Sequence, residues 1–275
     1  MTDNETIDHD SVNDDKVEHG NVDEDGLTND DPLRIERRLA DGVYRILRGE
    51  ALVGEENWAI LALKGGGYRL MTELHLDLPK THQQRAELDT DASWNPVGLW
   101  AEIDFNGKRR SATYLIEQGG VLTVRITEQK LPAIEDASPG RRGLNRPGLA
   151  PKTVLARSYG FDADANFDFA SALFNFVILQ RLKLSQGRTG TFESVVVTLP
   201  TLEPIAIQQS YAYVRDEPLD RETGEGLARR YTIREMDGEE AVTTFWTDER
   251  GLVIRQSVVV DGEPHGCEMA EYRWN

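Results

Sequence analysis

The segment Asn166–Leu184 constrains the fold more than any other, because it is apolar on almost every side. Its main polar breaks are Ser171, Asn175 and Gln180. A surface helix carries a single apolar stripe, whereas a helix that is apolar all round is buried. The segment therefore predicts a central helix at about 166–185 that the rest of the chain must cover.

The sequence on both sides of this segment predicts short antiparallel strands. Apolar and polar residues alternate from Tyr68 to Leu78, which is typical of a strand with one buried face. Asn106-Gly107 and Gly65-Gly66-Gly67 predict tight turns between such strands. Arg34–Leu39 suggests a short helical lead-in. We expect a mainly β fold, with a large antiparallel meander that forms a strongly curved sheet or incomplete barrel around one central apolar helix.

Charge is concentrated at the start of the chain. Residues 1–32 hold twelve Asp or Glu and one Lys, so they carry most of the net charge of −17. A segment with so little apolar surface cannot offset its ordering entropy, and we expect a disordered acidic tail. Residues 33–275 are predicted to form a single β domain. A proline-rich loop at 131–152, with a basic patch at Arg141–Arg146, is a lid, a binding loop or disordered.

Composition excludes several classes of function. An acidic chain lacks the basic surface that nucleic acids and anionic membranes require, so no nucleic-acid partner is expected. The single Cys267 cannot form an intrachain disulfide, and no metal-ligand spacing occurs. No apolar run reaches the length of a transmembrane segment, and the first residues lack the charged and apolar regions of a signal peptide, so we expect none. We expect a cytoplasmic protein without cofactor or metal, and the oligomeric state remains open.

Two groups of residues carry a resemblance to known families. The first is Gly42-Val-Tyr-Arg-Ile with Gly54-Glu-Glu-Asn-Trp-Ala-Ile and Gly65-Gly-Gly-Tyr-Arg-Leu, and the second is Thr244-Phe-Trp-Thr-Asp-Glu-Arg-Gly-Leu-Val-Ile. Together with the mid-chain helix, they resemble bacterial glycolipid-binding families and related domains of unknown function, over about residues 40–275. These families are similar to the lipoprotein-carrier half-barrels. The resemblance implies a hydrophobic ligand held between sheet and helix.

Aromatic and buried polar residues are the candidates for a ligand site, because such sites combine apolar walls with a few polar points. The predicted ligand-binding residues are Trp58, Trp100, Tyr114, Ser171, Asn175 and Trp246. The alternative for each aromatic residue is simple core packing. The alternative partner for Ser171 or Asn175 is a backbone group or water, since a buried polar group needs some partner.

No residue pattern identifies a catalytic site. His75 and His82 are predicted to be solvated, and neither they nor Cys267 has a convincing catalytic partner. The leading hypothesis is non-enzymatic binding of a lipid or glycolipid between the curved sheet and the helix. A small-molecule enzyme on a similar half-barrel is the alternative, for which Glu73, Asp104, Arg109 and Tyr114 are available. A structural or interaction module without a ligand is the third hypothesis.

Overall fold

The computed structural model describes residues 34–77, 82–117, 120–131, 150–162, 164–219, 226–236, 243–260 and 262–275. Within these ranges the chain is mainly β, as predicted, and contains one short helix. The strands of the first half are β1 (Ile35–Arg48), β2 (Ala51–Leu63), β3 (Tyr68–Leu76), β4 (His82–Thr90), β5 (Pro96–Phe105), β6 (Lys108–Glu117), β7 (Val121–Lys130) and β8 (Lys152–Gly160). Those of the second half are β9 (Asn166–Asp168), β10 (Thr189–Val197), β11 (Pro204–Leu219), β12 (Gly226–Glu235), β13 (Thr243–Thr247), β14 (Val253–Val260) and β15 (Glu263–Trp274). The helix α1 is Phe174–Leu182.

All the described strands belong to one sheet that is built from two meanders. The sheet runs β8-β7-β6-β5-β4-β3-β2-β1 and continues β15-β14-β13-β12-β11-β10-β9. The first and last strands of the chain pair at the middle of the sheet, with Tyr44 opposite Met269. Every neighbouring pair is antiparallel except β9 and β10, which are parallel.

Chain connectivity forces this sheet to curve. Strand β8 ends at Gly160 and β9 begins at Asn166, so six peptide steps join the two edges of the sheet. Six extended residues reach at most about 21 Å. Fifteen flat strands, spaced by about 4.8 Å, would place the edges about 67 Å apart. The sheet therefore bends until its edges approach each other, which gives an open, strongly curved structure.

Alternating burial shows which face of each strand lies inside the curve. In β3, Leu70, Thr72 and Leu74 are buried, whereas His75 is exposed on the other face. The predicted hairpin turn at Asn106-Gly107 joins β5 to β6, and both residues have positive φ, 49° and 72°. A two-residue type I′ turn requires positive φ at both central residues, and its twist matches that of the strands it joins. These strand and turn predictions are confirmed.

Two local predictions are wrong. Residues 35–39 belong to β1 and do not form a helical lead-in. The helix is shorter than the predicted 166–185, because Asn166–Asp168 forms β9 and pairs with Ser194–Val196 of β10. Helical structure starts only at Phe174 and ends at Leu182. The C-cap residue Lys183 adopts the left-handed conformation and donates its N–H to the Leu179 carbonyl.

The segment from β9 to the end of α1 contacts both halves of the sheet. The Phe176 ring meets the Trp94 ring edge-on at 5.2 Å and lies 6.3 Å from that of Trp274. Residues Phe174–Leu179 are all buried. Phe167 of β9 packs against Tyr114 of β6. The interior core therefore joins the two meanders through this segment.

Several predictions concern residues outside the described ranges. These are the acidic tail at 1–32, the basic patch Arg141–Arg146 with most of the 131–152 loop, and the side chain of His82. Among the described residues, no helix is long and apolar enough to cross a membrane. The same residues contain no cluster of three or more His, Cys, Asp or Glu side chains that could hold a metal ion.

Candidate functional site

A cavity of about 230 Å³ lies between the segment that precedes α1 and the inner face of the second meander. Its polar lining comes from Asp168, Ser171, Asn175, Gln209, Glu235 and Gln256. Its apolar lining includes Phe169, Ile233 and Val258. Side chains from β9, β11, β12 and β14 thus converge on the turn and first helical residues that carry Ser171 and Asn175.

The turn before α1 places Ser171 at this cavity. The Ser171 hydroxyl accepts a hydrogen bond from the Leu173 N–H at 3.2 Å, which closes a tight turn just before the helix. Asn175 lies in the first turn of α1 and is buried. Its amide nitrogen donates to Gln256 Oε1 at 3.1 Å, and its oxygen accepts from the Tyr211 hydroxyl at 3.3 Å. Asn175 therefore ties α1 to β14 and β11.

Asp168 supplies a carboxylate at the end of β9. Gln209 Nε2 donates to its Oδ2 at 3.0 Å. Burial raises the pKa of the Asp168 carboxyl, the nearby Glu235 charge raises it further, and the Gln209 hydrogen bond opposes both effects. Two acidic side chains therefore face the same cavity, whereas the residues that line it include no Lys, Arg or His.

A third acidic group, Glu56, is buried on β2 and does not line the cavity. Glu56 is only 2% exposed and lies on the inner face of β2. Burial raises the pKa of its carboxyl to about 7, although a hydrogen bond with the Ser171 side chain lowers it in part. Its Oε1 has no hydrogen-bond partner among the described residues. A buried, incompletely satisfied carboxyl is costly for stability, which makes Glu56 a candidate for a functional role.

Gln84 is a second polar side chain buried beside the same turn. It is 1% exposed, and its Nε2 lies 3.5 Å from the carbonyl oxygen of Ala170. Its Oε1 has no hydrogen-bond partner within the described part of the chain. Strands β2 and β4 therefore each carry a buried polar side chain with an oxygen atom that has no partner among the described residues.

The structure brings some of the predicted ligand-binding residues together and separates others. Ser171 and Asn175 line the interior cavity. Trp58 and Trp100 line a different concavity, a groove of about 310 Å³ that also includes Met71, Arg85 and Glu87. In this groove Trp58 is 3% exposed and part of the core, whereas Trp100 lies on the outer face of β5.

Tyr114 and Trp246 line neither concavity. Tyr114 is fully buried, and its hydroxyl donates to the carbonyl oxygen of Leu202. Trp246 lies on the outer face, where its indole N–H donates to Glu217 Oε1 at 2.6 Å. The guanidinium groups of Arg230 and Arg255 lie over its ring. Both residues therefore have structural partners, and their ligand-binding role stays a prediction.

The residues considered for an enzyme also lie apart from the interior cavity. Arg109 donates to both carboxylate oxygens of Asp104 at 2.8 Å. Glu73 accepts hydrogen bonds from Arg85 and Gln83. These are ion pairs on the outer face of the first meander, and such pairs typically contribute little to stability.

Sequence reasoning missed Glu56, Gln209 and Gln256. The two-residue period of β2 puts Glu56 in phase with Trp58 and Ile60, both of which are buried. This alternation along β2 was the sequence signal that could have identified Glu56 as buried. A glutamate next to the exposed Glu55, in a charged run, gives no other indication that it lies inside.

Comparison with known proteins extends the description of the fold. No protein-family model matches this chain, and no curated protein matches its sequence. A β-barrel-like protein of the domain of unknown function DUF1849 from Brucella abortus matches 88% of this chain and 100% of its own, with a TM-score of 0.54 and 8% identity. A DUF1089 family protein from Pseudomonas aeruginosa matches 68% of this chain and 82% of its own, with a TM-score of 0.46 and 16% identity.

The first of these likenesses shows a β-barrel-like fold and nothing about function. The DUF1849 neighbour is a domain of unknown function, which agrees with that part of the resemblance seen in the sequence. Glycolipid binding stays a prediction.

Proposed function

We propose that this protein binds an amphipathic ligand without chemical conversion, and that the polar head group of the ligand occupies the cavity beside α1. One observation carries the proposal. Ser171 and Asn175, from an otherwise apolar segment, face Asp168, Gln209 and Gln256 across a partly open cavity. Ligand sites typically combine a concave apolar wall with a few convergent polar groups.

The size of the cavity limits which part of a ligand enters it. Sites for drug-sized ligands measure about 300–1,000 Å³, and the cavity measures about 230 Å³. The rest of the described interior is filled by a continuous cluster of buried side chains. The cavity therefore suits a head group, while the apolar part of the ligand would lie along Phe169, Ile233 and Val258.

The chemistry of the lining favours a head group that donates hydrogen bonds. The carboxylates of Asp168 and Glu235 are acceptors, and the amide side chains of Gln209 and Gln256 add further oxygen atoms. Hydroxyl or amine groups match such a surface, whereas phosphate or sulfate would meet two negative charges. A glycolipid-type or amine-bearing amphiphile is therefore the class of ligand proposed.

Isothermal titration calorimetry with n-hexyl β-D-glucoside and n-hexylammonium tests this function. We expect at least one probe to bind with one-to-one stoichiometry. We also expect Asn175→Leu to weaken binding about tenfold or more, because it removes a polar side chain from the cavity wall. Gln208→Leu makes a comparable polar-to-apolar change at an exposed position of β11 and serves as the control. Circular dichroism verifies that each variant is folded. Absence of binding by both probes, or equal binding by Asn175→Leu, contradicts the proposal.

A further inference from the structure

The amide side chain of Gln256 has one end that is engaged by the protein and one end that is not. Its Oε1 accepts a hydrogen bond from Asn175 Nδ2 at 3.1 Å. No hydrogen bond joins its Nε2 to another residue in the described part of the chain. Gln256 itself lines the cavity beside α1. Its N–H donors are therefore available to a molecule in that cavity.

A chain of hydrogen bonds that begins at Asp168 sets the direction of this amide. A carboxylate can only accept, so the end of Gln209 that lies 3.0 Å from Asp168 Oδ2 is its NH2 group. Gln209 Oε1 then points away and accepts from the Ser194 hydroxyl at 2.5 Å. The Tyr211 hydroxyl has one proton to donate. It lies 3.3 Å from the Asn175 oxygen and 3.5 Å from the Gln209 oxygen, so Asn175 is its closer acceptor.

Tyr211 thereby fixes the amide of Asn175 and, through it, that of Gln256. Burial and the nearby charge of Asp168 raise the pKa of the Tyr211 hydroxyl, which therefore keeps its proton and donates it. The Asn175 oxygen accepts from Tyr211, so the Asn175 nitrogen turns to Gln256 Oε1. The nitrogen of Gln256 is then the end of the amide without a partner from the described chain.

We propose that Gln256 is a specificity-determining residue of the cavity, and that its Nε2 donates a hydrogen bond to an oxygen atom of the bound head group. This inference rests on the proposed function and narrows it to head groups that carry hydroxyl groups. A hydroxyl can donate to one side chain and accept from another, whereas an ammonium group has no lone pair to offer to Gln256.

Asp168 supplies the matching acceptor for such a head group. Its Oδ2 accepts from Gln209, and no other described residue donates to its Oδ1. Asp168 lies on β9 and Gln256 on β14, and the curved sheet brings both to the lining of one cavity. A donor and an acceptor in the same cavity are satisfied together by neighbouring hydroxyls, as on a sugar ring.

Calorimetric titration of Gln256→Met with both probes tests the assignment. Methionine keeps the length and the unbranched shape of the side chain but has no N–H group. We expect the affinity for n-hexyl β-D-glucoside to fall about tenfold relative to the affinity for n-hexylammonium, because only the glucoside loses a hydrogen bond. Gln208→Met makes the same change at an exposed position of β11 and should leave both affinities as in wild type.

The ratio of the two affinities separates a lost ligand contact from a disturbed cavity. Gln256→Met also removes the acceptor of Asn175 Nδ2, and a disturbance from that cause weakens both probes together. An unchanged ratio, or an unchanged affinity for the glucoside, overturns the inference while the proposed function stands. Binding of n-hexylammonium alone by wild-type protein has the same meaning.

Nuclear magnetic resonance of the free protein tests the direction of the amides without a ligand. Side-chain N–H protons that are held in hydrogen bonds within a protein exchange slowly with water. We expect a slowly exchanging proton on the Asn175 amide and fast exchange of both protons on the Gln256 amide. The reverse pattern overturns the inference whatever the probes do. If neither probe binds, the proposed function is wrong, and the selectivity assigned to Gln256 falls with it even when the exchange rates are as expected.

Discussion

At the scale of single residues, Glu56 is a buried carboxyl whose ionised form is unfavourable for stability. Its carboxyl lies inside the sheet, where the ionised form loses hydration without gaining a cation. A protein that only needed a core could place an apolar residue there. Successive residues of a strand point to opposite faces, so Glu56 lies on the same buried face of β2 as Trp58 and Ile60.

Replacing Glu56 should therefore stabilise the protein in a manner that depends on pH. The folded pKa of about 7 exceeds the usual value of 4.5. The folded state thus binds more protons than the unfolded state between these values, and stability falls as pH rises through them. The difference corresponds to at most about 3 kcal/mol above pH 7 and to none below about pH 4.

Chemical denaturation at about pH 4.5 and about pH 8 checks this prediction. Glu56→Gln should raise the free energy of unfolding by about 1–3 kcal/mol at the higher pH and little at the lower one. Glu55→Gln changes the neighbouring exposed glutamate and is the matched control. An equal effect at both pH values would mean that Glu56 does not carry the buried charge.

At the scale of elements, the strands follow the sequence closely and the helix does not. Strands were predictable because each one alternates between two faces and ends at a turn residue, as at Asn106-Gly107. Residues 166–168 open a largely apolar run that fits a buried helix, but they pair with β10. A short apolar run fits a buried strand as well as a helix, so local pattern could not separate the two.

Close packing between strands also depends on a glycine inside a strand. Gly54 lies in β2 beside an irregularity in its pairing with β1. A Cβ atom at Gly54 would overlap the carbonyl oxygen of His75 on β3. Backbone atoms cannot move aside cheaply, so a side chain there should separate β2 from β3.

Gly54→Ala should therefore lower the free energy of unfolding by about 1–3 kcal/mol, the usual cost of overpacking. Gly160→Ala is the control, because a Cβ atom at Gly160 would meet nothing within 4 Å. Thermal or urea denaturation of the two variants gives the comparison. Equal stability of both would show that β2 and β3 are less tightly packed than described.

At the scale of the whole molecule, the interior is closed by contacts between the ends of the chain's two meanders. The Tyr114 hydroxyl of β6 donates to the Leu202 carbonyl, in the turn between β10 and β11. Arg110 Nη1 donates to the Pro200 carbonyl in the same turn at 3.4 Å. These contacts join residues about ninety positions apart, so no local pattern could have revealed them.

Tyr114→Phe tests this closure and the role predicted for Tyr114 in ligand binding. Loss of the hydroxyl leaves a buried carbonyl without its donor, and we expect a loss of about 1–2 kcal/mol in stability. Probe affinity should not change, because Tyr114 lies away from the cavity. Tyr68→Phe, which keeps its ring stacked on Trp94, is the control. A large loss of affinity with little loss of stability would instead make Tyr114 a ligand contact.

The candidate site was predictable only in part, for a physical reason. Ser171 and Asn175 stood out because they interrupt an apolar segment. Their partners Gln209 and Gln256 lie on β11 and β14, and only the curvature of the sheet brings these strands to the segment. Polar residues that face inwards from distant strands look like ordinary solvent-facing residues until the register of the sheet is known.

Native mass spectrometry of gently purified protein tests the central claim most directly. The account predicts a bound small amphiphile at one copy per chain, present in wild type and in Gln208→Leu and depleted in Asn175→Leu. A mass equal to that of the bare chain in all three proteins would contradict it. So would a bound molecule retained equally by Asn175→Leu, since the ligand would then lie outside the cavity beside α1.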